Sequence, residues 1–135
     1  MFNCDDIFAS YSLLPEVGIA VITAEGRILR ANDHFANMIA VSDAQIHDVS
    51  YFGLLLPQDQ KRELAAFATL LDRSKQSYSQ ENRLYLDHAF ADHYDGMLHV
   101  MCQVTRYDGA EASFFLVMMD ELKVYRHFRK PRVEP

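Results

Sequence analysis

The side chains best suited to bind a metal ion cluster in one short segment of the chain. Histidine and aspartate residues alternate with other types between positions 87 and 95: Asp87, His88, Asp92, His93 and Asp95. Imidazole and carboxylate groups can ligate a transition metal. Their spacing matches no recognised ligand pattern, so a solvated polar loop is the favoured interpretation and we predict no metal site.

The remaining reactive side chains form no catalytic pattern. No serine lies in a G-x-S-x-G turn, no glycine-rich phosphate loop is present, and no H-E-x-x-H sequence occurs. The two cysteines, Cys4 and Cys102, lie far apart and form no C-x-x-C pair, which gives no support to a disulfide framework or a zinc site. We therefore expect a protein without enzymatic activity.

Length and charge limit the partners of the chain. With 135 residues, half of them hydrophobic, the chain is sized for one domain with an ordinary core. Residues 1–122 carry 8 basic and 18 acidic residues, a net charge of -10, whereas residues 123–135 carry 5 basic and 1 acidic residue, a net charge of +4. The body should repel nucleic acid. No apolar run has the length of a membrane span, and the acidic N-terminus differs from a secretory signal, so we expect a cytoplasmic protein.

Hydrophobic periodicity predicts an N-terminal helix and two internal helices. In residues 1–14 the apolar side chains recur at helical spacing, and Pro15 ends this N-terminal cap helix: Ile7, Tyr11 and Leu14. A short helix follows Asn32. In residues 59–74 the apolar positions recur at i, i+3, i+4 and i+7, which predicts a longer helix with this face toward the core: Leu64, Phe67, Ala68 and Leu71.

The other periodic segments read as five strands. GIAVIT and RILRA form a hairpin around Gly26, and the last three strands cover residues 78–86, 97–107 and 112–120. The Asp-Gly pair at positions 108–109 predicts a two-residue turn in which Met101 faces Leu116. The order of elements predicts an α+β fold: a five-stranded antiparallel sheet with helices between strands 2 and 3 packed on one face.

The last two strands present two apolar faces. One face holds Leu98, Val100, Cys102, Val104, Phe115, Val117 and Met119. The other holds Met97, His99, Met101, Gln103, Phe114, Leu116 and Met118. Both faces need cover, so we expect the internal helices on one and the N-terminal helix or a second protomer on the other.

This order of elements, together with particular residues, resembles the PAS sensory domain family over residues 15–122. The resemblance rests on PEVGIAVITAEGRILRAN, on LLPQD before the long helix, on ENRLYL, on the Asp-Gly pairs at 95–96 and 108–109, and on FFLVMMDEL with its closing Asp120. The chain departs from the family in its long DHAFADHYDG segment and in His99, where many relatives have tryptophan.

The resemblance implies a sensor or dimerisation module with a cavity between the central helices and the sheet. Some relatives hold haem, flavin or small acids in this cavity. Haem-binding relatives use a histidine on the long helix, and residues 59–74 contain none, so we do not expect haem. Residues 46–60 lack the cysteine of the light-sensing flavin relatives, so flavin is not expected either. The ligand itself stays unknown.

Two alternatives remain for the side chains that line this cavity. The family pattern relative to Asp120 directs Leu116 and Met118 inward, whereas the amphipathic pattern directs the face from Leu98 to Val104 inward. The pocket candidates follow the first alternative: Met38, Phe67, Leu71, His99, Met101, Leu116 and Met118. Such a methionine-rich wall with a few polar groups suits a small organic ligand.

Asn32 is predicted to cap the short helix that follows it. Its side-chain oxygen can accept a hydrogen bond from an otherwise unpaired backbone N–H of the first turn. Asn32→Ala is expected to lower the free energy of unfolding by about 1 kcal/mol, and Asn32→Asp or Asn32→Ser should lower it by less. This assigns the residue a structural role.

The sequence as a whole indicates a sensory or regulatory domain of a bacterial-type signal transduction protein. It would bind a small molecule or a partner, form a homodimer, and relay the change through flanking helices to an effector domain or partner protein. Residues 123–135 are the basic C-terminal helix or linker in this scheme. The dimer candidates are Ile7, Tyr11, Leu14, Phe115 and Val117. The alternative is a ligand-free interaction module whose cavity is filled by methionine and phenylalanine.

Overall fold

The computed structural model describes residues 1–14, 16–42, 44–85 and 97–122. Within these residues the helices are α1 (Cys4–Tyr11), α2 (Asp33–Met38) and α3 (Pro57–Leu71). The strands are β1 (Gly18–Ile22), β2 (Ile28–Ala31), β3 (Ser77–Tyr85), β4 (Met97–Asp108) and β5 (Ser113–Glu121). Short 3₁₀ helices cover Ile46–Asp48 and Phe52–Leu54. The predicted α+β fold and its order of elements are confirmed.

All five strands pair antiparallel in one sheet of order β2-β1-β5-β4-β3. The turn between β1 and β2 depends on Gly26, whose φ of 88° lies in the left-handed region that favours glycine. A Cβ atom on Gly26 would lie 2.5 Å from the ring of Phe52, so the close approach of that ring also requires glycine. The sheet therefore begins with a tight hairpin, as predicted.

The hairpin between β4 and β5 has a different register from the predicted one. Met101 pairs with Asp120, four residues beyond Leu116, and Asp108 pairs with Ser113. Asp108 closes the strand pair because its carboxylate accepts hydrogen bonds from the Ser113 hydroxyl, at 2.9 Å, and from Arg106 Nε, at 3.0 Å. The prediction of a two-residue turn was wrong. Because the shift is an even number, every side chain keeps its face.

The division of the sheet into two apolar faces is confirmed. The inner face packs with α2, α3 and the 3₁₀ segments, and it carries Leu98, Val100, Cys102, Val104, Phe115, Val117 and Met119. The outer face packs with α1, whose Phe8 joins a second cluster of buried side chains: Ile19, Val21, Phe114 and Leu116. The amphipathic pattern therefore predicted correctly which side chains of β4 and β5 face the helices.

Helix α3 packs with another face than the apolar spacing predicts. Its buried side chains are Asp59, Glu63, Phe67 and Leu70. Leu64 and Leu71 are each 47% exposed, and Ala68 is exposed as well. The predicted face was wrong for these three residues because polar groups elsewhere in the fold hold the two carboxylates inside, as the site geometry shows.

The edge of the sheet at β3 is covered by the start of α3. The Leu56 N–H donates to the Arg83 carbonyl at 3.0 Å, and the Arg62 guanidinium donates to the Glu81 carbonyl at 3.1 Å. The Arg83 N–H donates to the Asp59 carboxylate at 2.7 Å. These contacts occupy backbone groups that an edge strand otherwise offers to another chain.

The opposite edge, at β2, is also partly covered. Arg27 forms an isolated antiparallel bridge with Ser50, and His47 Nδ1 lies 2.9 Å from the Ile28 carbonyl oxygen. The segment between α2 and α3 therefore lies along this edge. Strand addition by a partner is disfavoured on both sides of the sheet, which leaves faces instead of edges for contacts with other proteins.

Candidate functional site

A buried carboxylate lies between α3 and the inner face of the sheet. Glu63 is 0% exposed and accepts three hydrogen bonds: from the Tyr51 hydroxyl at 2.6 Å, the Tyr78 hydroxyl at 2.7 Å and the Asn82 amide at 2.7 Å. The thiol of Cys102 contacts Tyr51 and Asn82. We call these residues, Glu63, Tyr51, Tyr78, Asn82 and Cys102, the Glu63 cluster.

Three separate parts of the fold position the Glu63 cluster. Alternation along β3 places Tyr78 and Asn82, four residues apart, on the same inner face, opposite Val104 and Val100 of β4. Tyr51 follows the bridge at Ser50 and is fixed by its own N–H, which donates to the Gly26 carbonyl at 2.9 Å. The cluster therefore joins the β1–β2 turn, α3 and β3.

Burial and the nearby carboxylate keep the other titratable groups of the cluster protonated. Burial, followed by Cys102 and Glu63, raises the pKa of Tyr51 well above its usual value. Burial and then Glu63 raise the pKa of Tyr78 in the same direction. The pKa of the Cys102 thiol rises to about 12, mainly through burial. Cys102 is thus a poor nucleophile, since the thiolate is the reactive form.

A second buried acid fixes the first turn of α3 to β3. Asp59 is 1% exposed, and its carboxylate accepts hydrogen bonds from Arg83 Nε at 3.0 Å and Arg83 Nη2 at 2.9 Å. Arg62 donates to it at 3.2 Å. Burial alone would raise the pKa of Asp59, but the hydrogen bonds from Arg83 and Arg62 lower it below the usual value. This pair of charges is satisfied and serves as an anchor.

Aromatic rings fill the interior beside the Glu63 cluster. Phe67 of α3 lies 5.0 Å from the Phe52 ring and 4.5 Å from the Phe115 ring, measured between centroids. The Tyr51 and Phe52 rings meet edge to face at 5.3 Å. Such contacts stabilise the core beyond simple area burial. The interior thus combines an aromatic wall with one polar cluster.

The structure separates the predicted pocket residues into two groups. Met38 and Phe67 belong to the buried cluster on the inner face. Leu71 lies on the exposed side of α3, and the remaining candidates lie on the outer face of the sheet: His99, Met101, Leu116 and Met118. The assignment of these five residues to the pocket is therefore corrected. Leu71 lies on the exposed side of its helix, and the other four lie on the face of the sheet that points away from the interior.

The predicted dimer residues divide in a similar way. Ile7 and Tyr11 are half-buried beside the outer cluster, and Leu14 is 41% exposed. Phe115 and Val117 are fully buried on the inner face under the helices. They have no surface to offer a second protomer, so their assignment to a dimer interface is corrected.

Asn32 caps α2 and also joins it to β1. Its Oδ1 accepts hydrogen bonds from the Phe35 N–H at 2.9 Å and the Ile19 N–H at 3.0 Å. Its Nδ2 donates to the Val17 carbonyl at 3.0 Å. The predicted cap is present, and the two bonds to the β1 segment were not foreseen. Asn32 is therefore a structural corner between hairpin and helix.

The sequence analysis missed every member of the Glu63 cluster. One signal was available: Asp59 and Glu63 stand at i and i+4 and share a helical face with Phe67 and Leu70, so two acids lie on an otherwise apolar stripe. Tyr78 and Asn82 show the matching period of a strand face. The polar segment at 87–95, the Asp-Gly pair at 95–96 and the basic segment 123–135 lie outside the described residues.

The fold matches solved structures of PAS domains. The PAS domain of an HTR-like protein from Haloarcula marismortui is 17% identical, with a TM-score of 0.64, over 87% of this chain and 96% of that chain. The PAS domain of a protein from Colwellia psychrerythraea is 13% identical, with a TM-score of 0.67, over 87% and 95%. The Cronobacter turicensis RpfR quorum-sensing receptor PAS domain in complex with BDSF is 13% identical, with a TM-score of 0.61, over 81% and 96%.

These similarities confirm the resemblance drawn from the sequence: the chain has the fold of a PAS domain. No protein-family model matches the sequence, and neither does any curated protein. Among the described residues, no helix is both long enough and apolar enough to cross a membrane.

Proposed function

We propose that this chain is a non-catalytic sensory domain that binds a small molecule at the Glu63 cluster. The observation that carries the proposal is a polar cluster centred on the fully buried Glu63, between α3 and the inner face of a PAS-type sheet. A buried polar group that orients a ligand is typical of binding sites with otherwise apolar walls. A structural neighbour, the quorum-sensing receptor PAS domain, was solved in complex with BDSF, which supports ligand binding in this fold.

The proposed signal passes through β5, which contributes side chains to both faces of the sheet. Val117 faces the helices, whereas Leu116 and Met118 face the cluster around α1. A ligand that changes the packing on the inner face would therefore change the support of α1 on the outer face. Coupling of this kind needs only a difference in ligand affinity between two packing arrangements.

The proposal includes a homodimer that forms through α1 and the outer face of the sheet. Leu13 is 87% exposed and Leu14 is 41% exposed, directly after α1. The β3 edge is covered and the β2 edge is partly covered, which disfavours strand addition, so the proposed second protomer uses a face. Light scattering checks this: we expect a dimer at micromolar concentration, and Leu13→Asp should favour the monomer, while Leu64→Asp on α3 serves as the control. A monomer at every concentration would contradict the dimer.

Native mass spectrometry of freshly purified protein tests the ligand. We expect a stoichiometric extra mass, released on denaturation. Thermal unfolding in the presence of a metabolite library is the second measurement, because a ligand that binds only the folded state raises the melting temperature. An empty spectrum together with no shift from any compound would contradict the proposed ligand binding.

A second candidate function is a ligand-free interaction module, and the aromatic wall favours it. The Phe67 ring packs against both the Phe52 ring and the Phe115 ring in the interior. In that case the only role of the Glu63 cluster is to stabilise the fold. One result distinguishes the two candidate functions. An interaction module would still form its dimer when mass spectrometry and thermal unfolding detect no ligand.

A further inference from the structure

Glu63 is a buried acid for which the described residues provide no ion-pair partner. Ion pairs with arginines are seen at other acids among the described residues, and none of these pairs includes Glu63: Asp5, Asp59 and Asp108. Glu63 is stabilised there by neutral donors, two hydroxyls and one amide. In a medium of low dielectric constant, such a group repels an anion and attracts a cation much more strongly than it would in water.

One of the three donors to Glu63 is only half-buried. Tyr51 and Asn82 are buried, with exposures of 0% and 2%. Tyr78 is half-buried on the edge strand, so part of its side chain lies at the surface. Outward rotation of the Tyr78 side chain would vacate the position of its own ring, whose hydroxyl contacts Oε2 of Glu63.

We propose that the Glu63 cluster selects a small cationic ligand, a compact primary amine or amidine, which takes the place of the Tyr78 hydroxyl at Glu63 Oε2. The inference rests on the proposed ligand-binding function and adds the charge class of the ligand. An ammonium or amidinium group forms a charge-assisted hydrogen bond with the carboxylate, which is stronger than the neutral bond that it replaces. The aromatic rings beside the cluster provide an apolar wall for the body of the ligand.

Thermal unfolding with four probes of similar size tests the charge class. Benzylamine and benzamidine are the cations, benzyl alcohol is the neutral analogue and benzoate is the anion. We expect the two cations to raise the melting temperature, benzyl alcohol to bind at least about tenfold more weakly, and benzoate to have no effect. Equal effects of benzyl alcohol and benzylamine, stabilisation by benzoate, or no effect of any probe would each overturn the inference.

Two variants that each remove one acid distinguish binding at Glu63 from binding to acidic groups on the surface. Glu63→Gln keeps the size of the side chain and removes its charge, so the preference for benzylamine over benzyl alcohol should disappear. Glu81→Gln, an exposed acid on β3, is the matched control and should keep the preference. Loss of the preference in Glu81→Gln but not in Glu63→Gln would assign the effect to the surface and overturn the proposal.

A further variant keeps the test valid if Glu63→Gln does not fold. Tyr78→Phe removes the competing hydroxyl, so Oε2 keeps only the bond from Tyr51 and can accept a second one from the ligand. Benzylamine should therefore bind more tightly than to the wild type. Weaker binding to this variant would count against the proposed contact. Equal binding of neutral and cationic probes would leave the proposed ligand-binding function intact, whereas an empty native mass spectrum with no stabilising compound would contradict that function itself.

Discussion

The hydroxyl of Tyr78 donates to Oε2 of Glu63 across 2.7 Å, and this bond joins the edge strand to the middle of α3. The same oxygen accepts from Tyr51 at 2.6 Å. Glu63 therefore holds together segments that approach each other only in the folded chain. The contact is a structural tie in which the donor side chain is only half-buried.

Removal of one donor should weaken the fold measurably. Tyr78→Phe deletes the hydroxyl and leaves the ring, so the free energy of unfolding should fall by about 1 to 2 kcal/mol, the cost of leaving a buried acceptor with one bond fewer. Urea denaturation measures the change. Tyr11→Phe is the control, because its hydroxyl lies 3.4 Å from that of Tyr107 and makes a weaker contact. Equal losses in the two variants would contradict the special role of Glu63.

The orientation of α3 is tested by two adjacent leucines. Leu70 is 0% exposed and Leu71 is 47% exposed. Leu70→Ala should lower the free energy of unfolding by about 2 to 5 kcal/mol, since it opens a cavity in the core. Leu71→Ala should cost less than about 1 kcal/mol, as is usual at exposed helix positions. The reverse order would restore the orientation predicted by apolar spacing.

The elements and faces of the sheet were predictable because their signals are local. Strand alternation fixes which side chains share a face, and an error of four residues in the register of β4 and β5 left that division unchanged. The cap at Asn32 was predictable for the same reason, since the helix start lies next to the residue. Its two bonds to β1 were not, because they depend on how the hairpin folds back.

The Glu63 cluster could not be derived from local patterns. The three donors stand 12, 15 and 19 residues from Glu63 along the chain. Apolar spacing ranks Leu64 above Glu63 as a core residue, because it cannot register hydrogen bonds from distant segments. Tertiary contacts reversed that ranking: buried polar groups are tolerated where they are hydrogen-bonded. The more apolar face of the last two strands is the one that packs against the helices. The pattern taken from relatives predicted the opposite face.

Asn32→Ala should now cost more than the cap alone predicts, because Asn32 also bonds to the β1 segment. Asn32→Ala removes two acceptor bonds and one donor bond, so a loss of about 2 to 3 kcal/mol in the free energy of unfolding is expected. Asn32→Asp keeps the acceptor but cannot donate to the Val17 carbonyl, so it should lie between the wild type and Asn32→Ala. Thermal and urea denaturation measure the series. A cost of Asn32→Asp equal to that of Asn32→Ala would show that the cap contributes nothing.

Alkaline pH should destabilise the domain through Tyr51 and Tyr78. Their usual pKa is 10.0, and the fold raises both values, so the unfolded chain releases protons that the folded chain retains. Stability from this source is complete below pH 10.0 and falls as the pH rises above it. Ultraviolet absorbance should show these two phenols ionising only with unfolding. In Tyr78→Phe the decline of stability with pH should be shallower, and an unchanged slope would contradict the assignment.

Acidic pH should also destabilise the domain, through Asp108 at the β4–β5 turn. Hydrogen bonds from Arg106, Ser113 and Arg73 lower its pKa from 3.8 to about 2. The stabilising contribution is therefore present above pH 3.8 and is lost as the pH falls toward 2. Asp108→Asn should be less stable than the wild type at neutral pH, and the difference between the two melting temperatures should shrink on acidification. Glu111→Gln, an exposed acid in the same turn, is the control. A constant difference between wild type and Asp108→Asn from neutral pH down to pH 2 would mean that the charge of Asp108 does not stabilise this hairpin.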